Sequence, residues 1–198
     1  MIRLFAAIAL PESIRRHLSI LCAGVPGARW QQYDQFHLTL RFIGEVDGAL
    51  GNDIIGALDG ISMPGFDLAL SGVGTWGDKR KSHALWAGVR PSEPLMRLRN
   101  KIENALVRAG VEPDRRKFHP HVTLARTGAS PAHRIGEFIA GHGAFATQSF
   151  AVNEFVLFSS FLSHSGAIYT PEASFPLGDH YERQSAWLEN AEDMTDAI

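Results

Sequence analysis

Cysteine is nearly absent from this chain: Cys22 is the only one among 198 residues. A single thiol can close no intramolecular disulfide and build no cysteine zinc cluster. That usage is compatible with a reducing compartment, and a cytoplasmic location is expected. Long apolar runs are missing too. Met1–Leu10 carries one arginine and a short apolar stretch, but Pro11-Glu12 interrupts it. It reads as a buried first strand, with neither a secretion signal nor a membrane span expected. Charge of one sign is also scarce. The formal net charge is −2, so no broad basic field is available for a long duplex, which needs many phosphate contacts. There is no Gly-x-x-x-x-Gly-Lys loop, which disfavours ATP-dependent chemistry. Ser159, Ser160 and Ser165 lack the strand–turn–helix setting of a serine nucleophile. No Ser/Gly/Pro-rich linker divides the chain.

What is present is ordinary globular material: 45% hydrophobic and 20% charged residues, enough for a real core. Basic clusters occur at Lys79-Arg80-Lys81 and Arg115-Arg116-Lys117, the second just ahead of His121. From about residue 180 the chain turns acidic, with Glu182, Glu189, Glu192, Asp193 and Asp196 against Arg183. Residues 1–178 are therefore expected to form one folded unit and 179–198 an acidic tail.

The periodicity predicts strands at 2–10, 36–42, 66–76, 83–90, 120–126, 147–161 and 166–177. Helices are predicted after Pro11, over 48–59, from Ser92 to about Ala109, and from Ser130-Pro131 to about Gly141. Strand–helix–motif strand–helix–strand–strand thus occurs twice in similar form. The expected fold is α+β: bilobal, two pseudo-symmetric lobes of mostly antiparallel sheet, helices outside and a cleft between.

Two strings nearly repeat, one in each half: His37-Leu38-Thr39-Leu40 and His121-Val122-Thr123-Leu124. Side chains alternate along a strand, so His and Thr at i and i+2 point the same way. Val122 and Leu124 fall on the opposite, core-facing side, as do Phe36, Leu38 and Leu40. Strict alternation also sends Phe42 into the core and puts Arg41 on the face of His37. It puts Arg126 opposite His121; only a bulge or strand end would turn Arg126 to the face of the histidine. Two imidazoles and two hydroxyls facing one cleft are equipment for moving protons at a phosphate ester. His119-Pro120-His121 lacks a convincing third ligand, so no metal is expected. Cys22, on a predicted helix, reads as packing.

These strings carry a specific resemblance. Phe36–Glu45 and Pro120–Arg126, supported by Arg29-Trp30, Gly72–Thr75, Leu85–Val89 and the Ser159–Tyr169 segment, resemble the 2H phosphoesterase superfamily. Within it the chain is most similar to the RNA 2′,3′-cyclic phosphodiesterases, also called 2′-5′ RNA ligases. The similarity runs to about Leu177; Trp76 stands where the family often has Phe. The resemblance implies a metal-independent, cofactor-free hydrolase that opens a terminal RNA 2′,3′-cyclic phosphate to a 2′-phosphomonoester, with reverse 2′-5′ ligation as a side capacity. It implies His37 and His121 as catalytic residues, one acting as base and the other as acid; we assign His121 as base and His37 as acid for hydrolysis, roles that exchange in the ligation direction. Thr39, Thr123 and Arg126 would bind phosphate. Trp30, Tyr33, Arg41 and Phe42 are further candidates for base or phosphate contact. RNA 3′ ends or small cyclic nucleotides are the expected partners, with no membrane, and the chain is expected to act as a monomer. The alternatives are a 2′-5′ oligonucleotide or other cyclic-nucleotide phosphodiesterase, or a nucleotide-phosphate binding module without turnover.

Overall fold

An unbroken apolar segment can be buried on both faces, and Leu4–Ile8 is buried throughout. It forms the middle of strand β1 (Ile2–Ala9), near the centre of the main sheet. The computed structural model describes residues 1–77, 82–163 and 166–178. The Lys79-Arg80-Lys81 cluster, Ser165 and the acidic tail lie outside these. The remaining strands are β2 (Arg29–Trp30), β3 (His37–Val46), β4 (Phe66–Leu68), β5 (Leu70–Gly77), β6 (Ser82–Val89), β7 (His121–Arg126), β8 (Phe150–Val152), β9 (Glu154–Ser163) and β10 (Gly166–Pro176). The helices are α1 (Glu12–Leu21), α2 (Gly48–Asp59), α3 (Glu93–Arg108) and α4 (Ala132–His142).

Local chemistry sets several of these boundaries. The Asp47 carboxylate accepts the Leu50 N–H (2.9 Å) at the start of α2, and the Ser92 hydroxyl accepts the Leu95 N–H (3.3 Å) at the start of α3. In α3 the apolar stripe Leu95, Leu98, Ile102, Ala105, Leu106 is fully buried. Gly110 (φ 95°) then turns the chain away in a conformation that suits glycine. Cys22 is half-buried behind α1. Burial pushes its thiol up to about 11, as befits packing rather than nucleophilic chemistry.

The main sheet runs β10-β9-β1-β3-β7-β6-β5, with β2 added beside β7, and its pairings are antiparallel. The expected α+β class and mostly antiparallel sheet are thus what is found. The elements do not segregate by sequence half, however. The hairpin β5–β6 pairs with the second motif strand β7, whereas β9–β10 returns to flank β1 and the first motif strand β3. Helix α3, although it follows β6, packs against α2 and β3. The stretches read as single strands at 66–76 and 147–161 each break in two. Their first parts, β4 and β8, leave the main sheet and pair with each other.

Among the described residues no helix is long and apolar enough to cross a membrane.

Candidate active site

The two motif strands meet along a short seam. Its single ladder pair is Leu38 with Val122, both buried. An antiparallel register through that pair puts His37 on the Thr123 side and Thr39 on the His121 side. Each half therefore sets its imidazole toward the hydroxyl of the other.

Both strands break alternation at the same place. Along β3 the ladder with β1 skips Leu40, and along β7 the ladder with β6 skips Leu124. These are bulges one residue past each threonine, and each buries two consecutive residues: Leu40 with Arg41, and Leu124 with Ala125. The next residue, Phe42 or Arg126, is returned to the face of the histidine. This corrects the alternation at Arg41 and Phe42, whose expected faces are exchanged. Arg41 is 6% exposed in the interior, while Phe42 is 44% exposed and lines the cleft. The same device supplies the inward turn that Arg126 required.

The cleft has a volume of about 670 Å³. His37, Thr39, Thr123, Arg126, Trp30 and Phe42 all contribute to its wall, together with Arg3, Arg29, Phe5 and Tyr169. Arg41 does not. Tyr33 is an exposed residue of the short 3-10 turn Tyr33–Gln35, where its hydroxyl donates to the Glu12 carbonyl (3.1 Å); it does not line the cleft. Arg29 lies directly across the ladder from Arg126. Opposed like charges repel, and among the described residues no carboxylate pairs with either. The pair is thus a place where an anion would be welcome.

His121 is not in the wall of that cavity. It stands on the face shared by Thr123, beside the rings of Trp76 (5.5 Å) and Trp86 (6.3 Å). The two indoles lie 5.2 Å apart. Trp86 lies over Gly74 on the neighbouring strand, where a Cβ would come within 2.3 Å of the indole; glycine there makes room for the ring. His37 is held in the same manner by Phe5 (4.9 Å) and Tyr169 (5.1 Å). The sequence reading missed Trp86, Tyr169, Phe5 and Arg29 as parts of this site. The segments of Trp86, Tyr169 and Arg29 carried the family resemblance, whereas that of Phe5 did not, and only cross-strand pairing brings these side chains to the site.

The two imidazoles share one more feature. The Nδ1 of His37 lies 2.8 Å from the Gln35 carbonyl, and that of His121 lies 2.7 Å from the His119 carbonyl. A carbonyl oxygen only accepts, so Nδ1–H donates in both. This fixes each neutral ring as the Nδ1–H tautomer, leaving Nε2 to take up or deliver a proton. The His37 pKa is lowered by burial, opposed by the bond to Gln35 and reinforced by His121. That of His121 is lowered by burial, opposed by the bond to His119 and reinforced by His119 and Arg126.

With both values lowered, the folded protein binds fewer protons than the unfolded chain near the ordinary imidazole value of 6.5. Stability therefore rises with pH through that region and falls on acidification. The Tm of the wild type is expected to drop as the pH is lowered from neutral through 6.5, and less steeply in His37→Ala. Thermal melts across that range check this; identical slopes in the two proteins would contradict it.

Among the described residues no group of three or more His, Cys, Asp or Glu is placed to hold a metal ion.

Along most of its length the chain is similar to known proteins. The family model described as "LigT like Phosphoesterase" matches twice, over residues 8–86 and 89–169, so each match contains one His-x-Thr string. The chain is 33% identical over 173 residues to an Escherichia coli protein named RNA 2′,3′-cyclic phosphodiesterase, covering 85% of this chain and 93% of that protein. A protein of the same name from Aeropyrum pernix is 34% identical over 153 residues, covering 76% of this chain and 86% of its own length. Among solved structures, E. coli LigT complexed with 3′-AMP superposes with a TM-score of 0.74 at 31% identity, covering 90% of this chain and 99% of that one. A Thermus thermophilus protein gives a TM-score of 0.74 at 25% identity, over 90% of this chain and 100% of its own. With both motifs inside the matched segments and the fold shared along nine-tenths of its length, the chain belongs to the LigT-like phosphoesterases of the 2H superfamily.

Proposed function

We propose that this protein hydrolyses the 2′,3′-cyclic phosphate at the end of an RNA to a 2′-phosphomonoester, without a metal or cofactor. The observation that carries the reading is the paired construction of the site. Two histidines on adjoining strands, each oriented by a carbonyl two residues earlier, flank two threonines whose strands bulge at the same position. The names of the E. coli and A. pernix relatives support the substrate class.

Water is a weak nucleophile near neutral pH and a ribose alkoxide is a poor leaving group, so the reaction needs a base on one side of phosphorus and an acid on the other. His121 Nε2 takes a proton as the water oxygen bonds to phosphorus. The P–O3′ bond breaks, and protonated His37 delivers its Nε2 proton to O3′. The products are a 2′-phosphomonoester and a free 3′-hydroxyl, and the two rings regain their starting charges by exchange with solvent. Thr39 and Thr123 hydroxyls donate to the nonbridging oxygens, and Arg126 adds positive charge, where negative charge must be held in the transition state. A ribose 5′-hydroxyl in place of water would yield a 2′-5′ bond by the same proton transfers. The lowered pKa values of both rings place the maximum of the bell-shaped kcat/KM profile on the acid side of 6.5.

The test is incubation of wild-type protein with an RNA oligomer ending in 2′,3′-cyclic phosphate, in EDTA, with the product isomer identified. Undiminished formation of the 2′-phosphate is expected. Loss of activity in EDTA, or a 3′-phosphate product, would contradict the reading. Tight binding without turnover would point to the nucleotide-binding alternative.

A further inference from the structure

The residue that the bulge turns away from the cleft is among the most heavily bonded side chains in the protein. Arg41 donates from Nε to Glu103 Oε2 (2.6 Å), and from its two terminal nitrogens to the carbonyls of Phe42 and Glu112. Glu103, on α3, is itself bonded on both oxygens, since its Oε1 accepts the Asp114 N–H (2.8 Å). One helical turn earlier, Arg99 lies 3.6 Å from Glu103 Oε2 and sets its guanidinium 5.7 Å from the centre of the Phe118 ring. Asp114 in turn accepts from the Arg116 backbone and guanidinium. Arg41, Glu103, Arg99, Asp114 and Arg116 are all absent from the wall of the cleft.

The partners fall in a telling order along the chain. Arg41 is two residues beyond Thr39 in the first motif strand. Glu112, Asp114 and Phe118 belong to the stretch that leads from α3 into the second motif strand, and that stretch includes His119, whose carbonyl receives the His121 Nδ1–H. Among the described residues β3 and β7 share only one ladder pair, so the sheet alone gives the seam little rigidity. We infer that Arg41, Glu103 and Arg99 form a buried strut that ties the first motif strand to the segment carrying the His119 carbonyl, and so sets the orientation and tautomer of His121. They are positioning residues, acting through His121. Their catalytic consequence rests on the hydrolase reading above; their effect on the ring does not.

The strut is electrostatic, so its removal should act through geometry rather than substrate affinity. Glu103→Gln keeps the side chain's size, but Arg41 and the Asp114 N–H bond different oxygens of Glu103, and an amide presents an NH2 donor in place of one of them. Misplacement of a catalytic group by an ångström or less reduces turnover steeply, and kcat is expected to fall about tenfold with KM changed less than about twofold. Long-range ¹H–¹⁵N spectra of the imidazoles supply the readout that a merely structural role would not move. Wild type should show both His37 and His121 as Nδ1–H tautomers. In Glu103→Gln, His121 should become a mixture of tautomers while His37, anchored by Gln35, stays unchanged. Arg41→Lys, which keeps the charge but carries its donors on a single nitrogen and cannot span the three acceptors that the guanidinium reaches, should shift His121 in the same direction. Both variants are compared as folded protein, judged by near-UV circular dichroism. Unchanged His121 signals in both variants would overturn the strut, as would equal disturbance of His37 and His121. A wild type that shows these signals but turns over no cyclic phosphate would sink the hydrolase reading and leave the strut standing.

Discussion

His37→Ala and His121→Ala are each expected to reduce hydrolysis of a cyclic-phosphate RNA by about 10²–10⁴-fold while leaving the fold intact. The size follows from what is lost. Either substitution removes a proton donor or acceptor from one side of an in-line displacement, and among the described residues no carboxylate lines the cleft to replace it. The neighbouring arginines cannot act as proton donors or acceptors near neutral pH. Removing both rings should cost scarcely more than removing one, because a base without an acid, or the reverse, completes only half of a concerted transfer. His37 is packed between Phe5 and Tyr169, so its truncation leaves a gap; His37→Gln fills more of that space and should be equally inactive. Initial rates on saturating substrate check this. A loss confined to KM, with kcat preserved, would show that the rings bind rather than transfer protons.

Arg41→Met is expected to destabilise the protein by about 3 kcal/mol, a fall in Tm of about 10 °C. Arg41 is 6% exposed and the Glu103 side chain 12%. Removing the guanidinium leaves a carboxylate in the interior with only Arg99, at 3.6 Å, and one backbone N–H. It also strands the Glu112 and Phe42 carbonyls that Arg41 had satisfied. An uncompensated buried charge costs far more than the net worth of an intact pair. The double variant Arg41→Met/Glu103→Leu should therefore recover part of the loss, since it removes the stranded charge as well. Chemical and thermal unfolding of wild type, single and double variants test this. Additive losses would mean that the two side chains act independently.

How far the sequence could be read depended on the range of the interaction. Alternation is a local property, so His37 with Thr39 and His121 with Thr123 could be assigned to one face from their spacing alone. The same rule misplaced Arg41 and Phe42, and could bring Arg126 inward only by invoking a bulge. A bulge is set by how a strand registers against its neighbour, and the neighbours, β1 and β6, are remote in sequence. Helices were legible to within a few residues because their caps and stripes lie within one or two turns: Asp47 and Ser92 mark their starts, and Gly110 follows the end of α3. The exchange of hairpins between the halves was not legible. Either hairpin has the alternating pattern of a strand pair, and no local feature of β9–β10 says that its partner is β1. For the same reason the aromatic flanks of the histidines were missed. Trp86 reaches His121, and Tyr169 reaches His37, only after strands far apart in the chain have paired.

The most direct test of the paired proton transfer replaces the leaving oxygen. A 2′,3′-cyclic phosphorothiolate with sulfur at the 3′ position expels a thiolate, which needs no proton from a general acid. The rates of wild type, His37→Ala and His121→Ala on this substrate should be compared with their rates on the ordinary cyclic phosphate. With His37 as acid and His121 as base, the sulfur substrate restores most of the activity of His37→Ala and none of that of His121→Ala. Equal and undiminished losses in both variants on both substrates would contradict an acid and a base acting from opposite sides of the phosphorus.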